Sequence, residues 1–220
     1  MKKTATLIGA TGLIGSCLLQ LLQDDQEYNL IKVLVRREVS FSHPKVKVIR
    51  IDFADDAAYK EAIAGSDVVF CAVGTTQKKV KGDLVAYRKV DYDIPVHAAR
   101  FCAETGCKQL MLVSSVGANS RSSNFYLKLK GEVEDLIGTL NLNVGIFRPS
   151  MLVGKREEFR FAEEVSKVLF VPLSFLVPSH YKAIKGLDVA RAMVSAAHQN
   201  RQGVTVYHFK EMQELIHLIE

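Results

Sequence analysis

The sequence has no low-complexity tract and no internal repeat. No apolar run approaches the ~20 residues that a membrane helix needs, so no membrane span is expected. Cysteine is scarce: Cys17, Cys71, Cys102 and Cys107 show no C-x-x-C spacing, and no histidine completes a zinc set. No metal site is expected. Three of the thiols fall in expected buried elements, where free cysteine behaves as a small hydrophobe. His43, His97, His198, His208 and His217 are scattered, and His180 alone is a substrate-side candidate. The charge balance is basic, +5, yet no nucleic-acid motif or aromatic-interleaved basic stripe appears. Lys78, Lys79 and Lys81 read as a solvated loop. Met1-Lys2-Lys3 leads straight into an expected strand, so no secretory leader is expected. A reduced, cytoplasmic protein is expected.

What is present suits a sizeable core. The chain has 220 residues and is 48% hydrophobic, the range of one α/β domain. Strands are expected at 4–9, 30–35, 46–51, 67–72, 108–113 and 143–148. Helices are expected at 13–23, 55–64, 83–104, 124–139, 159–170, 187–199 and 210–218. Alternation of this kind predicts a doubly wound parallel sheet, a Rossmann-like three-layer α/β/α domain over 1–220. After Arg148-Pro149 the pattern loosens. Residues 150–185, with Pro172 and Pro178 bracketing a mixed apolar run, form a smaller substrate-side segment, where Lys155, Arg156 and Arg160 read as a solvated helix start.

The densest local signal is Gly9-Ala10-Thr11-Gly12-Leu13-Ile14-Gly15. It sits between an apolar strand, Ala5-Thr6-Leu7-Ile8, and an amphipathic helix. Gly9 allows a sharp turn, Gly12 a close approach by a ligand, and Gly15 close packing of helix on strand. The turn and the helix N-terminus favour a pyrophosphate. Thr11, Leu13 and Ile14 belong to the same cradle.

The second strand ends Val35-Arg36-Arg37, with cations where NAD-binding folds carry an acid. Either arginine can hold a 2′-phosphate through a charge-assisted fork. NADP(H) is therefore expected over NAD(H). The third strand ends at Asp52-Phe53, suited to the adenine, although Asp52 also reads as a plain turn former. The fourth ends at Val73-Gly74-Thr75, where Gly74 permits close approach near the nicotinamide-side ribose.

The fifth strand ends in Ser114-Ser115, and strand alternation does not say which faces inward. A helix then carries Tyr126 and Lys130 four residues apart, on one face. Lowering a phenol from its ordinary pKa of ~10 by two to three units takes about 3–4 kcal/mol. One cation at ~4 Å and an effective dielectric near 20 supplies about that much. Tyr126 would then exchange a proton with a substrate oxygen, Lys130 would tune it, and Ser115 would hold the oxygen in line.

Taken in order, Gly9-x-x-Gly12-x-x-Gly15, Arg36-Arg37, Gly74-Thr75-Thr76, Val113-Ser114-Ser115-x-Gly117-Ala118, Ser123-Asn124-Phe125, Lys130-Gly131-Glu132-Val133-Glu134 and Phe147-Arg148-Pro149 resemble the Tat-interacting-protein-like oxidoreductases. These are an atypical branch of the short-chain dehydrogenase/reductases. The resemblance implies a Rossmann fold, bound NADPH, cofactor contacts at Gly9, Gly12, Gly15, Arg36, Arg37 and Gly74, and Ser-Tyr-Lys roles for Ser115, Tyr126 and Lys130. Arg148-Pro149 resembles the pair that opens the substrate segment, and is grouped with the cofactor wall. Two positions depart from the family's pattern. Asp91 stands where many members have an asparagine, and only 11 residues separate Ser115 from Tyr126. The expected function is NADP(H)-dependent hydride transfer to or from a carbonyl or hydroxyl of a small molecule. A nucleotide-sugar epimerase or dehydratase, and an NADPH-sensing regulator without turnover, are the alternatives. A homodimer or a protein partner stays open.

Overall fold

The computed structural model describes residues 2–153 and 182–217. In chain order the elements are β1 (Lys3–Ile8), α1 (Leu13–Asp24), β2 (Tyr28–Val35), β3 (Val46–Arg50), α2 (Asp56–Ile63), β4 (Val68–Cys71) and α3 (Leu84–Arg88). A π-helical stretch (Lys89–Asp93) then leads into α4 (Ile94–Thr105), β5 (Gln109–Val113), α5 (Phe125–Ile137) and β6 (Asn143–Phe147). The short strands β7 (Leu152–Val153) and β8 (Ile184–Lys185) are followed by α6 (Gly186–Gln199), β9 (Val204–Tyr207) and α7 (Phe209–His217).

Seven strands form one parallel sheet in the order β3-β2-β1-β4-β5-β6-β9, and β7 pairs with β8 apart from it. The chain winds outward from β1 through β2 to β3, then crosses back to β4 on the other side. The carboxyl ends of β1 and β4 therefore flank the topological switch point, where such sheets bind ligands.

Burial follows the period-two alternation of the strands. Ala5 and Leu7, Val68 and Phe70, and Met111 and Val113 face a core shared with α1, α6 and α7. Ile8, Val69 and Cys71, with Leu110 and Leu112, face the opposite core beneath α2, α4 and α5. Each fully buried Leu, Ile or Phe contributes about 2 kcal/mol, so both faces must be covered. Met212, Leu215 and Ile216 dock α7 onto the first core.

Two expectations need correction. The helix expected over 83–104 is interrupted by the π-helical stretch. The Pro95 ring would clash with the carbonyl of Asp91 in a regular α-helix, and a wider turn relieves that clash. The strand β9 was not expected; it is four residues long and lies beyond the loosened pattern. The helix expected at 159–170 lies outside the described residues, as do His180, Lys155, Arg156, Arg160 and most of the 150–185 segment.

Candidate active site

The glycine turn is built around close backbone approaches. Gly9 has a φ of +93°, and a Cβ there would lie 2.6 Å from the Ala72 carbonyl oxygen at the end of β4. A Cβ on Gly15 would lie 2.0 Å from the Gly9 carbonyl oxygen. Gly15 thus lets α1 pack onto the turn itself. Gly12 is the N-cap of α1 and donates its N–H to the Gly9 carbonyl at 2.9 Å. No side chain caps this helix. By contrast Asp55, Asp83 and Asn124 cap α2, α3 and α5. The first N–H groups of α1 are left for a ligand or water.

A cleft of about 810 Å³ runs along the carboxyl ends of the strands. Gly9, Thr11, Gly12, Leu13 and Ile14 form its floor, and Val73, Gly74 and Thr75 form one wall. Arg36, Arg37 and Phe53 stand at one end, and Ser114 and Lys130 at the other. Both arginines are exposed, and neither forms an ion pair among the described residues. Phe53 is braced edge-on by Tyr59, with ring centroids 4.8 Å apart.

Four of the expected cofactor residues do not line the cleft. Gly15 is buried under the turn. Asp52 is exposed and accepts from the Ala54 N–H at 3.0 Å, as a turn former does. Arg148 is turned to Glu134, with Nε 3.1 Å from each carboxylate oxygen. The Pro149 carbonyl accepts from the Val116 N–H at 3.0 Å.

Around the expected catalytic residues the structure adds two carboxylates that local spacing missed. Asp91, on the π-helical stretch, is 1% exposed. Its Oδ1 lies 3.0 Å from Lys130 Nζ, and its Oδ2 accepts from the Thr75 N–H at 2.7 Å. One buried carboxylate thus ties the lysine to the loop after β4. Glu134 accepts from the Ser114 hydroxyl and pairs with Arg148. Tyr126, Lys130 and Glu134 are spaced four apart, so they form one column on α5. That spacing was the available signal for Glu134. Asp91 was noticed as a departure, but only folding shows its partner.

Tyr126 is buried beside Tyr87 and Leu129, and its ring centre is 5.9 Å from Lys130 Nζ. It does not line the cleft. The Ser115 hydroxyl is buried and donates to the Val116 carbonyl at 3.3 Å. Ser114, not Ser115, reaches the cleft wall, with its hydroxyl engaged by Glu134. Gly131 makes the arrangement possible: a Cβ there would lie 2.1 Å from the Ser120 N. The loop leaving β5 can therefore cross α5 in contact with its backbone.

The fold and cleft define a Rossmann-type dinucleotide-binding protein of three α/β/α layers. A family model described as NAD(P)H-binding matches residues 9–200. The chain belongs to that family, within the atypical short-chain dehydrogenase/reductase group that holds the HTATIP2 and FMP52 proteins. Protein HTATIP2 of Rattus norvegicus is 32% identical over 197 residues, covering 88% of this chain and 80% of that protein. "Protein FMP52, mitochondrial" of Candida albicans is 36% identical over 157 residues, covering 69% and 68%. "Protein FMP52-1, mitochondrial" of Scheffersomyces stipitis is 30% identical over 226 residues, covering 98% of each. Among solved structures, a UDP-N-acetylglucosamine 4-epimerase from Methanobrevibacter ruminantium superposes with a TM-score of 0.70 at 17% identity, covering 100% of this chain and 82% of its own. The Bordetella bronchiseptica enzyme WbmH in complex with NAD+ gives 0.70 at 17% identity, covering 95% and 76%. At such identities these two share the fold alone.

One expectation is overturned here. The cytoplasmic placement does not stand, since relatives from several yeasts are named mitochondrial. Unpaired thiols and a strand close to Met1 do not discriminate between those compartments.

Proposed function

We propose that this protein is an NADP(H)-dependent oxidoreductase acting on a carbonyl or hydroxyl of a small molecule. The observation that carries the reading is one cleft with three matched parts. It joins two exposed arginines without ion-pair partners among the described residues, an uncapped helix N-terminus, and a buried lysine, with the Tyr126 ring centre 5.9 Å from Nζ behind the cleft wall. The donor set fits a phosphorylated dinucleotide. Arg36 and Arg37 would hold the 2′-phosphate, Phe53 would pack on the adenine, and the N–H groups of the glycine turn and α1 would bind the pyrophosphate. Val73, Gly74 and Thr75 would border the nicotinamide-side ribose. When bound, the nicotinamide supplies or accepts the hydride.

The chain's own residues would handle the proton and the positioning. Tyr126 would give a proton to the substrate oxygen, or take one from it. Ser115 would hold that oxygen once its hydroxyl turns from the Val116 carbonyl, since the Ser114 hydroxyl at the cleft wall is committed to Glu134. The geometry changes the part assigned to Lys130. Its ammonium is paired with Asp91 at 3.0 Å, so its field at the phenol is largely offset by the carboxylate. Lys130 then acts chiefly by fixing α5 against the loop after β4. The 150–185 segment would supply the substrate side of the same unit.

The test is reduction of a panel of aldehydes and ketones, followed by loss of NADPH absorbance. Tyr126→Phe is expected to lower kcat by about a thousandfold while keeping cofactor affinity. Turnover that survives Tyr126→Phe would remove the tyrosine from the reaction. NADPH binding without turnover of any carbonyl would favour the regulatory alternative.

A further inference from the structure

At the far end of the sheet from the cleft, the turn between α4 and β5 brings two thiols together. Helix α4 ends at Thr105, and Gly106 follows in the left-handed region with a φ of +76°. The Cys107 N–H donates to the Cys102 carbonyl at 3.0 Å. That six-to-one bond, closed over a left-handed glycine, is a Schellman motif. The motif places the side chain two residues past the cap against the side chain at the start of the last helical turn. In most proteins that contact is a pair of apolar side chains. Here both are cysteines; Cys107 is 5% exposed, and its thiol donates to the Gln109 carbonyl at 3.5 Å. Cys107 also lines a surface cavity of about 650 Å³, with Lys108, Asn141, Asn143, Asn200 and Gln202. Cys102 lies behind it, fully buried.

We propose that Cys102 and Cys107 are a helix-capping dithiol that a small-molecule disulfide entering this cavity oxidises to an intramolecular disulfide. The Cys107 sulfur attacks one sulfur of the small disulfide. A mixed disulfide forms and one small thiol leaves. The Cys102 sulfur then attacks the Cys107 sulfur, and the second small thiol departs with the Cys102 proton. The protein loses two hydrogens and two electrons, and one small disulfide becomes two thiols.

The order of attack follows from the surroundings. Cys107 lines the cavity, and the neighbouring Cys102 thiol lowers its pKa below the ordinary thiol value. Burial pushes Cys102 up. Cys71, wholly buried in the same core, is pushed up to about 11 by burial and lines neither the cleft nor this cavity. It serves as an internal control. The inference is independent of the cofactor reading.

The chain offers a convenient assay, because trypsin releases both thiols on one peptide, Phe101–Lys108. The folded protein is incubated with glutathione disulfide, quenched with N-ethylmaleimide and digested without reductant. The expected result is a Phe101–Lys108 peptide two hydrogens lighter than the dithiol, restored by dithiothreitol, with Cys71 unmodified. Cys102→Ser should instead accumulate glutathione on Cys107, and Cys107→Ser should leave Cys102 free. If Cys102→Ser does not fold, the wild-type time course decides, with a Cys107–glutathione adduct rising before the closed peptide. Two free thiols in the wild-type peptide, or a glutathione adduct that never closes, would overturn the proposal.

Discussion

The two ends of the cleft are built in opposite ways. At the end that holds Arg36 and Arg37, both arginines are exposed and without ion-pair partners among the described residues, and the floor is bare backbone at Gly9 and Gly12. At the opposite end Lys130 is paired with Asp91, and behind it Arg148 is paired with Glu134. The first end leaves its donors open to a ligand with several negative charges. The second end has spent its charges on holding α5, β5 and the loop after β4 in register. One end is shaped to bind, and the other to hold side chains still.

That contrast can be broken most severely at the turn. Gly15→Ala would drive a Cβ to 2.0 Å from the Gly9 carbonyl oxygen, against backbone that has nowhere to move. A loss of about 3 kcal/mol or more is expected, read as a lower urea midpoint or as failure to fold. Wild-type stability in this variant would mean that α1 does not sit on the turn as described.

Next comes the buried ion pair. Asp91→Ala leaves the Lys130 ammonium without a partner at a site that is only 6% exposed. Breaking such a pair costs about 3 kcal/mol. Adding Lys130→Met should recover most of that loss, because no charge is then buried. A double variant as unstable as Asp91→Ala alone would show that Asp91 acts through Thr75 and not through the lysine.

The smallest effect belongs to Glu134→Gln. The amide can still accept from Ser114, and the Arg148 side chain is 23% exposed, so solvent screens the lost charge. About 1 kcal/mol is expected by thermal or urea unfolding. A loss as large as that of Asp91→Ala would erase the distinction between the two ion pairs.

The same contrast explains what could be read in advance. The end that holds Arg36 and Arg37 is local: seven residues carry the glycine turn, and the arginines directly follow β2. Alternation of strands and helices is likewise written in short apolar periods, and it yields the parallel sheet. The end that holds Lys130 depends on partners far apart in sequence, Asp91 with Lys130 and Glu134 with Ser114 and Arg148. No periodicity announces those meetings. Pro95 did carry a sign that the long helix could not run regular, since its ring conflicts with the carbonyl of Asp91. Strand β9 escapes the reading because Val204-Thr205-Val206-Tyr207 lies beyond the loosened pattern that follows Pro149, although three of the four are β-branched.

The central claim is that the exposed arginines select a 2′-phosphate. It is tested most directly by fluorescence titration of the protein with NADPH and with NADH, repeated on Arg36→Ala/Arg37→Ala. NADPH should bind about tenfold to a hundredfold more tightly than NADH, since one or two charge-assisted hydrogen bonds separate the two ligands. In the double variant that preference should vanish while NADH affinity holds. Equal binding of the two nucleotides by the wild-type protein, or a preference that survives the loss of both arginines, would contradict the account.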